Sequence, residues 1–126
     1  MANVRIDQNG IPKGPVYETL PPAAHRTNVT AVDSSDPAGT TGAIDAAGFQ
    51  DCRFDIIITG TGFTSLEVAV LFWNSRQSKW FTGASRLFTT TGQHALSAEA
   101  RGAIVYLKVV AFSGTSFTLN ADYVLS

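Results

Sequence analysis

From residue 51 onward the sequence is built of segments in which apolar side chains recur at every second position. In DCRFDIIITG (51–60), Cys52, Phe54, Ile56 and Ile58 alternate with Arg53, Asp55 and Thr59. Only an extended chain sends alternate side chains to opposite faces, so this segment is a strand with one buried face. The pattern returns three times. Leu66, Val68, Val70 and Phe72 oppose Glu67, Ala69, Leu71 and Trp73. Val105, Leu107 and Val109 oppose Tyr106 and Lys108. Phe117, Leu119, Ala121, Tyr123 and Leu125 face in, with Thr118, Asn120 and Asp122 facing out. Shorter candidates are Thr27–Val32, Trp80–Thr82, Leu87–Thr90 and His94–Ser97, the middle pair separated by Gly83. No stretch holds a 3.6-residue period. Ala43–Ala47, bracketed by Gly42 and Gly48, has room for one helical turn.

Turn chemistry separates these runs: Gly60–Gly62, Asn74–Lys79, Glu99–Gly102 and Ser113–Ser116. Gly60–Gly62 and Ser113–Ser116 read as tight hairpin links. Parallel strands need crossovers of a dozen or more residues, and none is visible. The expected fold is all-β, an antiparallel β-sandwich of jelly-roll-like form.

The N-terminal part has a different character. All five prolines lie between Pro12 and Pro37, and eleven of the 13 aromatic residues lie beyond residue 50. Proline fixes φ and lacks an N–H, so residues 1–27 read as an extended arm and residues 28–126 as the sandwich domain. The arm carries Val4, Ile6, Ile11, Val16, Tyr17 and Leu20. A solvated tail needs fewer apolar side chains than that, so these six are candidates for contact with another surface.

Composition excludes several functions. Nine basic residues against ten acidic ones leave a formal charge of −1, which provides no electrostatic stripe for nucleic acid. No run of 18 apolar residues marks a membrane-spanning helix, and the N-terminus shows no secretory signal. His25, His94 and the single Cys52 do not sit at metal-ligand spacing. Cys52 shares the inward face of its strand and is expected buried and reduced. The glycine clusters Gly39–Gly42 and Gly60–Gly62 lack the Lys and the following helix of a phosphate loop. The sequon Asn28-Val29-Thr30 is expected to be inert in the absence of a secretory signal. No cofactor and no catalytic residue is expected.

Two patterns carry alternative chemistry. Trp73, Trp80 and Tyr106 are candidates for stacking on sugar rings in a carbohydrate-binding or receptor-binding module; the competing reading places Trp80 and Phe81 as a plug at the end of the core. Asp55 and Glu67, if neighbours across a Gly60 hairpin, would form the carboxylate pair of a small hydrolase. Arg53 as their ion-pair partner is the plainer reading.

The segments LEVAVLFWNSRQSKWFTGAS (66–85) and RGAIVYLKVVAFSGTSFTLNADYVLS (101–126) resemble the β-sandwich virion proteins of tailed bacteriophages, in particular capsid decoration or cement proteins. The likeness lies in strand rhythm, low charge, a lone cysteine and a proline-bearing arm. It implies a non-enzymatic structural protein, made in the host cytoplasm and resident in the virion. It further implies a homo-oligomer, with a trimer preferred, whose partners are other capsid proteins rather than nucleic acid or membrane. Strand addition and arm exchange are the physical means by which such a sandwich would bind its neighbours.

Overall fold

The period-two segments form long strands because each buries one apolar face against the other. A computed structural model describes residues 26–126 and the backbone of Glu18–Thr19. Its strands are β1 (Glu18–Thr19), β2 (Ile44–Asp45), β3 (Asp51–Thr59), β4 (Phe63–Asn74), β5 (Lys79–Phe88), β6 (Gly92–Glu99), β7 (Ile104–Gly114) and β8 (Thr118–Leu125). Two four-stranded sheets result, ordered β1-β8-β3-β6 and β2-β7-β4-β5. The pairing is nested: first strand with last, second with seventh, third with sixth, fourth with fifth, all antiparallel. This is jelly-roll order.

The core lies between the sheets. Cys52, Phe54, Ile56 and Ile58 from β3 meet Leu66, Val68 and Val70 from β4 and Val105, Leu107 and Val109 from β7, all fully buried. Burying each large side chain stabilises the fold by about 1.5–3 kcal/mol. The inward faces read from the alternation are those observed on β3, β7 and β8. On β4 both faces are covered, because Ala69 and Leu71 are buried as well.

Several connections differ from the sequence reading. Gly60–Gly62 and Ser113–Ser116 are not hairpins: β3 and β4 lie in different sheets, as do β7 and β8. Both segments are arches between sheets, and they bind each other. Thr115 N donates to Gly62 O and Ser116 N to Thr61 O, each at 3.1 Å. A Cβ on Gly60 would lie 2.2 Å from Ser116 O, so this approach needs glycine. Alternation reports which face of a strand is buried, but not which sheet the next strand joins. The one link that stays within a sheet is β4–β5, where Asn74 Oδ1 accepts the amides of Arg76 and Gln77 and turns the chain.

Other corrections follow from pairing. The two short strands expected around Gly83 are one strand, β5. Ala69 pairs with Ser85 and Leu71 with Thr82, so Gly83 and Ala84 together oppose Val70 in a β-bulge. Thr27–Val32 makes only a single bridge, Val29 to Leu119. Ala43–Ala47 forms β2 and not a helical turn, since Ile44 and Asp45 pair with Val105 and Ile104.

The arm and the sandwich are not cleanly divided at residue 27. Glu18 and Thr19 pair with Leu125 and Val124 at the edge of the first sheet. Arg26 O accepts the amide of Ala121, and Asn120 Oδ1 accepts the amide of Asn28 at 2.8 Å. The contact candidates Val4, Ile6, Ile11, Val16, Tyr17 and Leu20, and also His25, lie outside the described residues.

Candidate functional site

The sandwich has two outer faces of different chemistry. On the β7-β4-β5 face, Trp73 and Trp80 are directly paired across strands, with ring centroids 5.2 Å apart. Tyr106 lies 6.0 Å from Trp80. The three aromatics named from sequence are therefore one cluster, set on Ala69 and Leu71 and edged by Ala43 and Ile104. Trp80 neither plugs the core nor offers an open platform. It is 8% exposed, and its Nε1–H donates to Pro37 O at 3.1 Å and Gly39 O at 3.3 Å. The turn-rich residues 33–42 form a strap over this face.

Polar contacts fasten the strap. Arg26 Nη1 donates to both carboxylate oxygens of Asp33, at 3.1 and 3.0 Å, and to the Tyr106 hydroxyl. Asp33 also accepts the Val109 amide at 2.9 Å, and its own amide donates to Val109 O. Lys108 pairs with Asp36 at 2.7 Å. Burial pushes the Tyr106 phenol above its usual range, against the opposing pull of Arg26. An unmade partner for a largely buried charge costs more than a made one contributes, so loss of Arg26 would weaken the strap. None of this was legible in sequence: Arg26 and Asp33 lie seven residues apart in an irregular segment, and Tyr106 lies 80 residues from Arg26.

The β8-β3-β6 face is open and acidic. Register places Asp55 between Asp122 and Ala95, and Ile57 between Asn120 and Gln93. With Ile56 and His94, these six residues line a depression of about 470 Å³. Arg53 holds Asp55 through Nε at 2.9 Å and Nη2 at 3.1 Å. Glu67 is absent from this face. It projects from β4 on the other side of the sandwich, so the carboxylate pair suggested by a Gly60 hairpin does not exist. Among the described residues, no group of three His, Cys, Asp or Glu side chains is placed to hold a metal ion.

No family model, curated protein or solved structure matches this chain. The geometry of its own residues is what bears on function.

Two further groups are buried or engaged. Cys52 is 1% exposed, and burial, with a smaller contribution from the neighbouring Asp51 charge, raises its thiol to about 11. A thiol in that state is a poor nucleophile. His94 Nε2 lies 2.8 Å from Thr90 O, which can only accept, so the ring carries its proton there. The same ring lies tilted against Phe88 with centroids 4.6 Å apart, and Arg86 lies over the Phe88 ring at 4.9 Å while donating to Ala95 O. Together these join the β5 and β6 edges along one open side of the sandwich.

β5 ends its sheet, with β4 as its one strand partner. It exposes Phe81 (45%) and Leu87 (58%), which with Ile57 are the most exposed large apolar strand side chains among the described residues.

Proposed function

We propose that the chain is a structural virion protein of the phage capsid decoration type, a homo-oligomer with a trimer preferred. The observation that carries this reading is the nested eight-strand jelly roll ending in an apolar edge strand. The jelly roll is an architecture that capsid domains use. A ten-residue edge strand presents backbone donors and acceptors in a row, a template for pairing with another chain. Phe81 and Leu87 add apolar area at that edge, and Lys79 and Arg86 limit uncontrolled stacking. The contact candidates of the arm, from Val4 to Leu20, supply a second adhesive element. Glue of this kind needs no catalytic group. It needs backbone pairing and apolar burial across the joint between subunits.

Mass spectrometry of purified particles, produced from the genome that encodes the chain, tests the reading directly. The expected result is the chain at a copy number stoichiometric with the major shell protein. Its absence from such particles overturns the reading. Light scattering on the full chain is expected to give about three times the monomer mass of 13.4 kDa, and a monomer at all concentrations overturns the oligomer.

A further inference from the structure

The outer face of the β8-β3-β6 sheet carries a second feature that the particle reading does not use. Its depression is built on two rows of side chains: Asp122, Asp55 and Ala95 in one, and Asn120, Ile57 and Gln93 in the other. Neighbouring strands lie about 4.8 Å apart and alternate residues of one strand about 6.7 Å apart, so the array spans roughly 10 by 7 Å. That is the footprint of one sugar ring. The short side chain of Ala95 makes the hollow, between Asp55 and the longer Gln93.

The chemistry of the array is mixed in a specific way. At its centre Ile57 is 45% exposed, an apolar side chain in mid-sheet. Asp122 is exposed, and its carboxylate has no hydrogen-bond or ion-pair partner among the described residues. Asp122 and Asp55 are direct cross-strand partners, and Arg53 holds both carboxylate oxygens of Asp55, so the Asp122 charge is the uncompensated one of the pair. Asn120 has its Oδ1 taken by the Asn28 amide at 2.8 Å, which leaves its Nδ2 as a donor. Gln93 supplies a second amide. The uncompensated Asp122 carboxylate repels an anion, and a bare cation gains nothing from an aliphatic centre. A neutral sugar satisfies both parts: hydroxyls that donate and accept, and a C–H face that packs on an aliphatic side chain.

We infer that this depression binds a neutral saccharide. The C–H face of the ring lies on Ile57 and Ala95, its hydroxyls donate to Asp122 and Asp55, and they accept from the Asn120 and Gln93 amides. The site stands on the opposite face from Trp73, Trp80 and Tyr106, and it does not depend on the particle reading.

Saturation-transfer NMR on the full chain tests it, with glucose, galactose, mannose, N-acetylglucosamine and their common disaccharides as probes. At least one is expected to receive saturation, and the amide shifts it causes are expected to centre on Ile57. Asp122→Ala should weaken that binding at least about tenfold, a change of about 1.4 kcal/mol. Ala95→Leu, which fills the hollow, should abolish it. Both positions are exposed, and the amide spectrum of each variant reports whether it is folded. Trp73→Ala should leave the affinity unchanged. Three results overturn the inference: no saturation of any sugar, sugar binding that both folded variants retain, or sugar binding lost in Trp73→Ala. Binding of an arginine-bearing peptide with no sugar bound overturns the ligand class.

Discussion

The ring of Phe72 fills the space that a Cβ on Gly83 would need, its nearest atom 1.7 Å from that position. The β-bulge that interrupts β5 therefore depends on glycine. Gly83→Ala forces the half-buried ring to move as a whole and should destabilise the fold by about 2 kcal/mol. Gly39→Ala meets nothing within 4 Å and is expected to be near neutral. Urea unfolding of both variants checks the contrast.

Arg26→Met should lift the strap. It leaves the Asp33 carboxylate and the Tyr106 hydroxyl short of a partner, at a cost of about 1–3 kcal/mol. Trp80 lies under the strap with its indole N–H bonded to Pro37 and Gly39 carbonyls, so its fluorescence should shift to the red before global unfolding. An unshifted Trp80 emission in Arg26→Met would show that the strap holds without this lock.

The Cys52 thiol should resist labelling in the native protein and react once it is unfolded. Its charged form is disfavoured in the fold, so the native state keeps the proton that the unfolded chain gives up. Between its ordinary 9.0 and about 11 the native state binds more protons, and stability falls as pH rises. Below about 9 the thiol contributes no pH dependence. Tyr106 and Tyr123, both raised mainly by burial, act in the same direction at alkaline pH. Chemical denaturation across alkaline pH should show this decline, reduced in Cys52→Ala. That substitution itself costs about 1–2 kcal/mol through the cavity it leaves.

Two truncations should behave differently. Removing residues 1–17 takes away none of the described strands and should leave a folded sandwich that associates less tightly. Removing residues 1–26 also deletes β1 and Arg26, which bind β8 and lock the strap. That protein should melt well below the full chain. Thermal melting with light scattering separates the outcomes, and equal melting of both would place Arg26 outside the stabilising network.

The buried faces of β3, β7 and β8 were legible because burial of every second side chain is written locally, as in Cys52, Phe54, Ile56 and Ile58. β4 was legible on one face alone. Its outer residues Ala69 and Leu71 look apolar in sequence, but nothing local says that a strap 30 residues upstream will cover them. Trp73, Trp80 and Tyr106 lie together in one cluster, and burial of Trp80 was one of the two readings, but the strap that covers it was not foreseen. The depression at Ile57 went unnoticed, since Asp55, Gln93 and Asn120 come from three strands distant in sequence.

By itself, then, the sequence determined that the chain is all-β, where β3, β7 and β8 run, and which of their side chains point inward. Each of these follows from the two-residue period of extended backbone and from glycine and proline at the breaks. Tertiary structure alone decided that Gly60–Gly62 and Ser113–Ser116 cross between sheets, that Asp55 and Glu67 face away from each other, and that Arg26 reaches Tyr106. A strand's alternation is the same whichever neighbour it pairs with. The choice of neighbour is settled by how both sheets bury their apolar faces at once, a property of the whole chain.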